Sequence, residues 1–182
     1  MAAQAGTLQH ISNLYVTAPD AKLAKKLCKR TGMDKVFFGN SGAEANEGAI
    51  KAARKYSFDH YGDGRSTVIT LVNSFHGRTI ATLTATGQGV FHNYFGPFNE
   101  GFVYAQAGDI EALTELVDRH TCAVMLELVQ GEGGVVALEP EYVQAVRRLC
   151  DGFEQTEQRL LSCGLRYIAS FRNMKPELSY IK

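Results

Sequence analysis

At 182 residues, 45% of them hydrophobic and 21% charged, the chain is long enough for one domain with a buried core and has the composition of an ordinary globular protein. Its 19 basic and 19 acidic side chains balance, so neither nucleic acid nor an anionic membrane is expected as a partner. No stretch approaches the roughly 18 apolar residues of a membrane span. The opening Met1-Ala2-Ala3-Gln4-Ala5-Gly6 lacks the pattern of a secretory signal.

Leu8 to Thr17 is apolar and aromatic without a clean period. Pro19 suits a first helical turn, and Leu23, Ala24, Leu27 and Cys28 then recur at helical spacing up to Gly32. Lys22, Lys25, Lys26, Lys29 and Arg30 form the solvated face of that helix. Lys35 to Phe38 reads as a buried strand, followed at once by a helix to about Tyr61 with Ala45, Ala49, Ile50, Ala53 and Tyr56 on one stripe. Thr67 to Val72 is β-branched and predicts a fully buried strand. A short helical pattern, Ile80 to Thr84, comes next, then a glycine- and aromatic-rich loop from Gly87 to Gly101. Phe102 to Tyr104 predicts a short strand, and Asp109 the cap of a helix that turns Ile110, Leu113, Leu116 and Val117 inward. Ala123 to Leu128 predicts another buried strand, Gln130 to Val135 a glycine turn, and Pro140 the start of a helix to about Cys150. Strands alternating with helices imply an α/β fold, a mostly parallel sheet flanked by helices. Ligands in such sheets sit beyond the carboxyl ends of the strands, where the loops Asn40–Glu44, Asn73–Arg78 and Gln130–Gly134 would meet.

The four cysteines, Cys28, Cys122, Cys150 and Cys163, form no C-x-x-C pair, so no metal site is expected. Cys28 and Cys122 sit in apolar patterns and read as buried thiols in a reducing compartment.

Three stretches bear on chemistry. Ser41, with Glu44 three residues later, fits a capping box, and the helix opening on Gly42-Ala43 leaves bare N–H groups where an anion, above all a phosphate, can sit. The stretch is neither a P-loop nor a dinucleotide-binding fingerprint, and an ordinary capped turn is the competing reading. Phe75-His76-Gly77-Arg78 offers a flat ring for stacking and a guanidinium for a carboxylate; a core ring and a surface arginine are the plain alternatives. Glu127 ends an apolar strand, where an unpaired charge is costly, so a structural ion pair competes with a functional role. Glu132 lies in the glycine turn, where a solvated acid is the plain reading.

Taken in order, Phe37-Phe38-Gly39-Asn40-Ser41-Gly42-Ala43-Glu44-Ala45-Asn46-Glu47, then Ser74-Phe75-His76-Gly77-Arg78-Thr79, then Glu127 with Gln130-Gly131-Glu132-Gly133-Gly134, strongly resemble the class III aminotransferases that depend on pyridoxal phosphate, and their acetylornithine branch in particular. His10 to Tyr15 resembles the same family's stretch before the first sheet strand. The resemblance covers roughly Ala2 to Cys150. It implies part of the large domain of a fold-type-I enzyme, usually a cytoplasmic homodimer. Ser41, Gly42 and Ala43 would hold the cofactor phosphate, Phe75 would stack on the pyridine ring, and Glu127 would position the cofactor. Arg78 would bind a substrate carboxylate, and Glu132 would pair with an arginine to switch the pocket between substrates. The implied reaction moves the amino group of N-acetylornithine, or a related ω-amino acid, onto 2-oxoglutarate in arginine biosynthesis. Ornithine and 4-aminobutyrate aminotransferases and aminomutases share much of the pattern.

The chemistry of pyridoxal phosphate also needs a lysine for the cofactor aldehyde and an aspartate for the pyridine nitrogen. In the family both follow the stretch matched by Cys150, and neither motif occurs here. Lys175 precedes Pro176 and Lys182 is the final residue. The expected division is therefore a partial, truncated cofactor-binding large domain at 1–150 and a divergent tail at 151–182. A catalytically inactive fragment that binds pyridoxal phosphate or phosphate weakly is the alternative to an active transaminase.

Overall fold

The computed structural model describes residues 1–12 and 14–152 and the backbone of 161–164. It divides into two units, Met1–Val36 and Phe37–Lys182. In the first, Ala2–Ala5 forms a single turn, α1, and Ala18–Thr31 forms α2. Thr17 starts α2 by accepting the Asp20 N–H on its side chain, and Gly32 ends it with a φ of 72°. No residue of α2 is fully buried: Leu23 is exposed, and Cys28 is half-buried rather than the enclosed thiol that its apolar neighbours suggested.

The second unit is built on a parallel sheet. α3 (Gly42–Tyr61) leads through Gly62 to β1 (Thr67–Leu71), followed by α4 (Ile80–Ala85), β2 (Phe102–Ala105), α5 (Ile110–Leu116) and β3 (Thr121–Leu126). The two-residue strands β4 (Val129–Gln130) and β5 (Val136–Ala137) pair as an antiparallel hairpin, and α6 (Pro140–Gly152) follows. β6 (Leu161–Gly164) completes the sheet, whose order is β2-β1-β3-β6. Every pairing in that sheet is parallel.

Both faces of β1 and β3 are covered, so their sequences run apolar without alternation. Val68, Ala123 and Met125 pack with Ala49, Ile50, Ala53 and Tyr56 of α3. Ile69, Leu71, Val124 and Leu126 pack with Leu113 of α5 and with Tyr142, Val146 and Cys150 of α6. Burial of each large side chain contributes about 1.5–3 kcal/mol. The alanines of α3 permit its close approach to the sheet. Cys122 is enclosed, and burial pushes its thiol up to about 11.

Two expectations for this unit fail. Lys35 to Phe38 is not a strand: Phe37 and Phe38 are exposed by 53% and 42%, and no sheet partner among the described residues pairs with them. An apolar run forms a strand only where a neighbour accepts its ladder bonds, which periodicity does not reveal. Leu116 is exposed instead of inward, because α5 ends there and Val117 is already extended. By sequence, Leu160, Leu161, Leu165, Tyr167, Ile168 and Phe171 of the tail suit a helix or strand that covers apolar surface; of these only the backbone of Leu161, in β6, is among the described residues, and Lys175 and Lys182 lie outside them.

Candidate functional site

The first turn of α3 is built as its sequence predicts, with one change. Ser41 is extended and its Oγ accepts the Glu44 N–H at 3.2 Å, while its carbonyl accepts the Ala45 N–H at 3.0 Å. Glu44 does not close a capping box on Ser41. Its carboxylate takes the Asn40 N–H at 2.7 Å and the Asn40 side-chain amide at 3.1 Å, one residue earlier. Gly42 and Ala43 stand at the first two helical positions, whose N–H groups have no intrahelical acceptor, while Ser41 Oγ takes that of Glu44. Free donors at the positive end of a 20-residue helix favour an anion.

The loop after β1 is fastened against this turn. Asn46 of α3 donates to the His76 carbonyl at 2.7 Å, and Thr79 Oγ1 donates to Glu47 at 2.5 Å. Gly77 has a φ of 139°, and a Cβ built there would lie 2.7 Å from Ala43 Cβ and 2.6 Å from Thr82 Oγ1. The chain therefore passes the cup at a distance that only glycine permits.

The loops after β3 close on the same segment. Glu127 is buried and its carboxylate accepts the Phe75 N–H at 2.9 Å. Gln130 donates to the Val72 carbonyl at 2.9 Å. At Gly133 a Cβ would lie 2.6 Å from the Asn73 carbonyl oxygen, so the β4–β5 turn rests on the start of the β1 loop. The three loops anticipated at one sheet edge are thus linked in a row, with Asn73–Arg78 in the middle.

Phe75 is half-buried, its ring edge-on to Phe91 at 5.4 Å. Arg78 is exposed, with its guanidinium 5.8 Å from the Phe75 ring centre and 5.0 Å from that of Phe91. Glu132 is exposed in the hairpin turn. Neither Arg78 nor Glu132 joins an ion pair among the described residues, so both charges are open to a ligand.

His76 is 4% exposed, its Nε2 has no hydrogen-bond partner among the described residues, and burial lowers its pKa to about 4. It is neutral at pH 7. The unfolded chain takes up this proton near 6.5 and the folded chain only near 4, so stability is full above about pH 6.5 and falls as the pH drops through that window. The slope from this one group reaches roughly 1.4 kcal/mol per pH unit. Thermal melts from pH 7 to 4.5 are expected to show a shallower loss in His76→Gln than in the parent; equal slopes would assign the acid sensitivity elsewhere.

Chemically, the arrangement offers an anion cup, a flat aromatic face within the next loop and a buried carboxylate that fixes that loop. The Aminotransferase class-III family profile matches residues 1–156. The chain belongs to the class-III aminotransferases. Acetylornithine aminotransferases from Haemophilus ducreyi and Caldanaerobacter subterraneus are 59% and 56% identical to it over 149 and 148 residues, in each case 81% of this chain and 38% of the relative. Among solved structures, an ornithine aminotransferase from Toxoplasma gondii, described as having partial occupancy of PLP at its active site, superposes with a TM-score of 0.81 at 30% identity, covering 90% of this chain and 38% of that one. The chain thus spans a little over a third of the length of the relatives it matches. Its α/β architecture is that of part of a fold-type-I aminotransferase.

Pyridoxal phosphate is the cofactor of the class-III aminotransferases, and the residues present suit it in part. The donors of Gly42 and Ala43 suit a phosphate, and the missing side chain of Gly77 lets the β1 loop lie directly against Ala43 of that turn.

Residue-by-residue reading missed Asn46, Ser74, Thr79 and Gln130. Each is a small or amide side chain that ties one loop to another: Ser74 Oγ, for instance, accepts the Gly87 N–H at 3.1 Å. All four stand inside the stretches that resemble the family, but polarity alone does not distinguish a tie of this kind from a solvated residue.

Proposed function

We propose that this chain supplies the phosphate- and ring-binding part of a pyridoxal-phosphate aminotransferase acting between N-acetylornithine, or a related ω-amino acid, and 2-oxoglutarate in arginine biosynthesis. A cytoplasmic homodimer is part of this reading, as are residues 1–150 as a partial large domain and 151–182 as a divergent tail. The observation that carries it is the convergence of the α3 N-terminal turn with the loops after β1 and β3, at the carboxyl edge of a parallel sheet. Ser41 sets the turn, and the Gly42 and Ala43 N–H groups bind the phosphate. Phe75 covers one face of the pyridine ring. Glu127 holds Phe75 in place through its backbone N–H, and so positions the cofactor at one remove. Arg78 takes a substrate carboxylate, and Glu132 pairs with an arginine and so switches the pocket between amino-donor and dicarboxylate substrates. The cofactor, when bound, supplies an aldehyde and an electron-withdrawing ring through which an amino group changes carrier.

A second reading rests on the sequence itself. No lysine among these 182 residues stands in the family's setting for the cofactor aldehyde. On that reading the 182-residue chain alone binds pyridoxal phosphate, or phosphate, without turnover.

Equilibrium dialysis of the chain against pyridoxal phosphate, followed by borohydride reduction and mass spectrometry, tests both. Saturable binding competed by inorganic phosphate and weakened about tenfold or more in Gly42→Leu is expected. Unchanged affinity in that variant sinks the cup assignment. A stoichiometric lysine adduct at one position, with turnover of N-acetylornithine, sinks the second reading.

A further inference from the structure

Phe91 lies outside every motif that marks the family here, in a 3-10 turn (Gly89–Phe91) on the glycine-rich loop after α4. That loop is bonded to the loop after β1 at three points. Gly87 donates to Ser74 Oγ at 3.1 Å, the Gln88 side chain donates to the Ser74 carbonyl at 3.1 Å, and the Asn73 N–H donates to the Gly87 carbonyl at 2.9 Å. Gly87 approaches β1 so closely that a Cβ there would fall 2.0 Å from the Leu71 carbonyl oxygen. The loop's path is therefore held by backbone and side-chain bonds together, and Phe91 is delivered to a fixed place.

At that place its ring meets Phe75 edge to face, with centroids 5.4 Å apart and planes at 61°. This is the favoured geometry of an aromatic pair, the positive edge of one ring against the negative face of the other. The Arg78 guanidinium lies over Phe91 at 5.0 Å, nearer than its 5.8 Å to Phe75. A cation over a ring gains from the ring's quadrupole, and with no ion pair among the described residues Arg78 has this aromatic surface as its resting place.

We propose that Phe91 is a positioning residue for a planar, anionic, phosphate-bearing ligand. It fixes the tilt of the Phe75 ring by edge contact and holds Arg78 aside until a carboxylate draws it off. The inference rests on the reading of Phe75 as the stacking surface for pyridoxal phosphate. It adds a residue that touches neither cofactor nor substrate and acts through two that do.

The test compares the parent chain with Phe91→Leu, Phe91→Tyr and Phe75→Leu. In Phe91→Leu the affinity for pyridoxal phosphate is expected to fall about three- to tenfold, the range of one lost aromatic pair. Phe91→Tyr, which keeps the ring, should stay within about twofold. The competition constant of inorganic phosphate should be the same in all four, because the cup is untouched; a general loosening of the fold would move it. Parent-like pyridoxal phosphate affinity in Phe91→Leu overturns the proposal while a loss in Phe75→Leu upholds the stacking reading. If Phe75→Leu also binds like the parent, the stacking reading and the proposal fall together. A parent that takes up no pyridoxal phosphate sinks the cofactor reading. The clamp is then judged by NMR of the free chain, where the Arg78 δ-proton shifts should move toward random-coil values in Phe91→Leu; unmoved shifts overturn it.

Discussion

Gly77→Ala is expected to damage the phosphate cup severely. The added carbon would stand 2.6 Å from Thr82 Oγ1, 2.7 Å from Ala43 Cβ and 3.0 Å from Ala43 Cα, and it would do so at a φ of 139° that L side chains rarely adopt. Overpacking costs about 1–3 kcal/mol and a residue held in a sparsely populated backbone region about as much again. A combined loss of roughly 2–5 kcal/mol is a large share of the marginal stability of a domain this size. The chain can escape the clash only by moving the β1 loop away from α3, which stretches the bond from Asn46 to the His76 carbonyl and opens the cup. Urea unfolding should show the lower midpoint, and pyridoxal phosphate affinity should drop by about a hundredfold or more. If Gly77→Ala kept both, the close pass beside Ala43 would not be what shapes the cup.

Glu127→Ala should separate the loop from the sheet rather than from the helix. The Glu127 carboxylate is buried and accepts the Phe75 N–H at 2.9 Å. Hydrogen bonds to a charged partner contribute about 1.5–3 kcal/mol, and truncation leaves the Phe75 N–H without its acceptor. The expected losses are about 2 kcal/mol in stability and at least tenfold in pyridoxal phosphate affinity. Phosphate alone should bind nearly as before, because the Gly42 and Ala43 donors belong to α3. Glu127→Gln keeps an acceptor oxygen at the same reach and should recover most of the loss. If alanine and glutamine behave alike, the negative charge matters more than the bond to Phe75.

The difference between these variants shows what the amino-acid order discloses. Ser41 and Asp109 announce helix starts because a cap acts on neighbours three residues away, and both cap as expected. Thr67 to Val72 and Ala123 to Leu128 announce buried strands, observed at Thr67–Leu71 and Thr121–Leu126, because both their faces are covered. Phe37 and Phe38 look the same by composition and are not a strand, since ladder partners are a property of the assembled sheet. In the site, Ser41, Phe75, Arg78, Glu127 and Glu132 were visible as residue types placed after apolar runs. The bonds that arrange them were not. Asn46, Ser74 and Gln130 reach across 30, 13 and 58 residues of chain, and nothing local marks such partners.

Those separations carry a consequence for how the second unit comes into being. β1 lies between β2 and β3, and the contacts that gather the cup with its two loops close spans of 30, 52 and 58 residues. Closing long loops costs entropy before any contact rewards it, and parallel sheets of this kind fold slowly for that reason. During synthesis the α3 turn emerges first, yet it has no Glu127-anchored Phe75 beside it until Glu127 itself, 52 residues beyond Phe75, has left the ribosome. A ligand that needs both parts is therefore a late-arriving stabiliser: it binds only the assembled sheet and raises its stability by mass action. Refolding in the presence of such a ligand should leave the folding rate unchanged and slow unfolding alone.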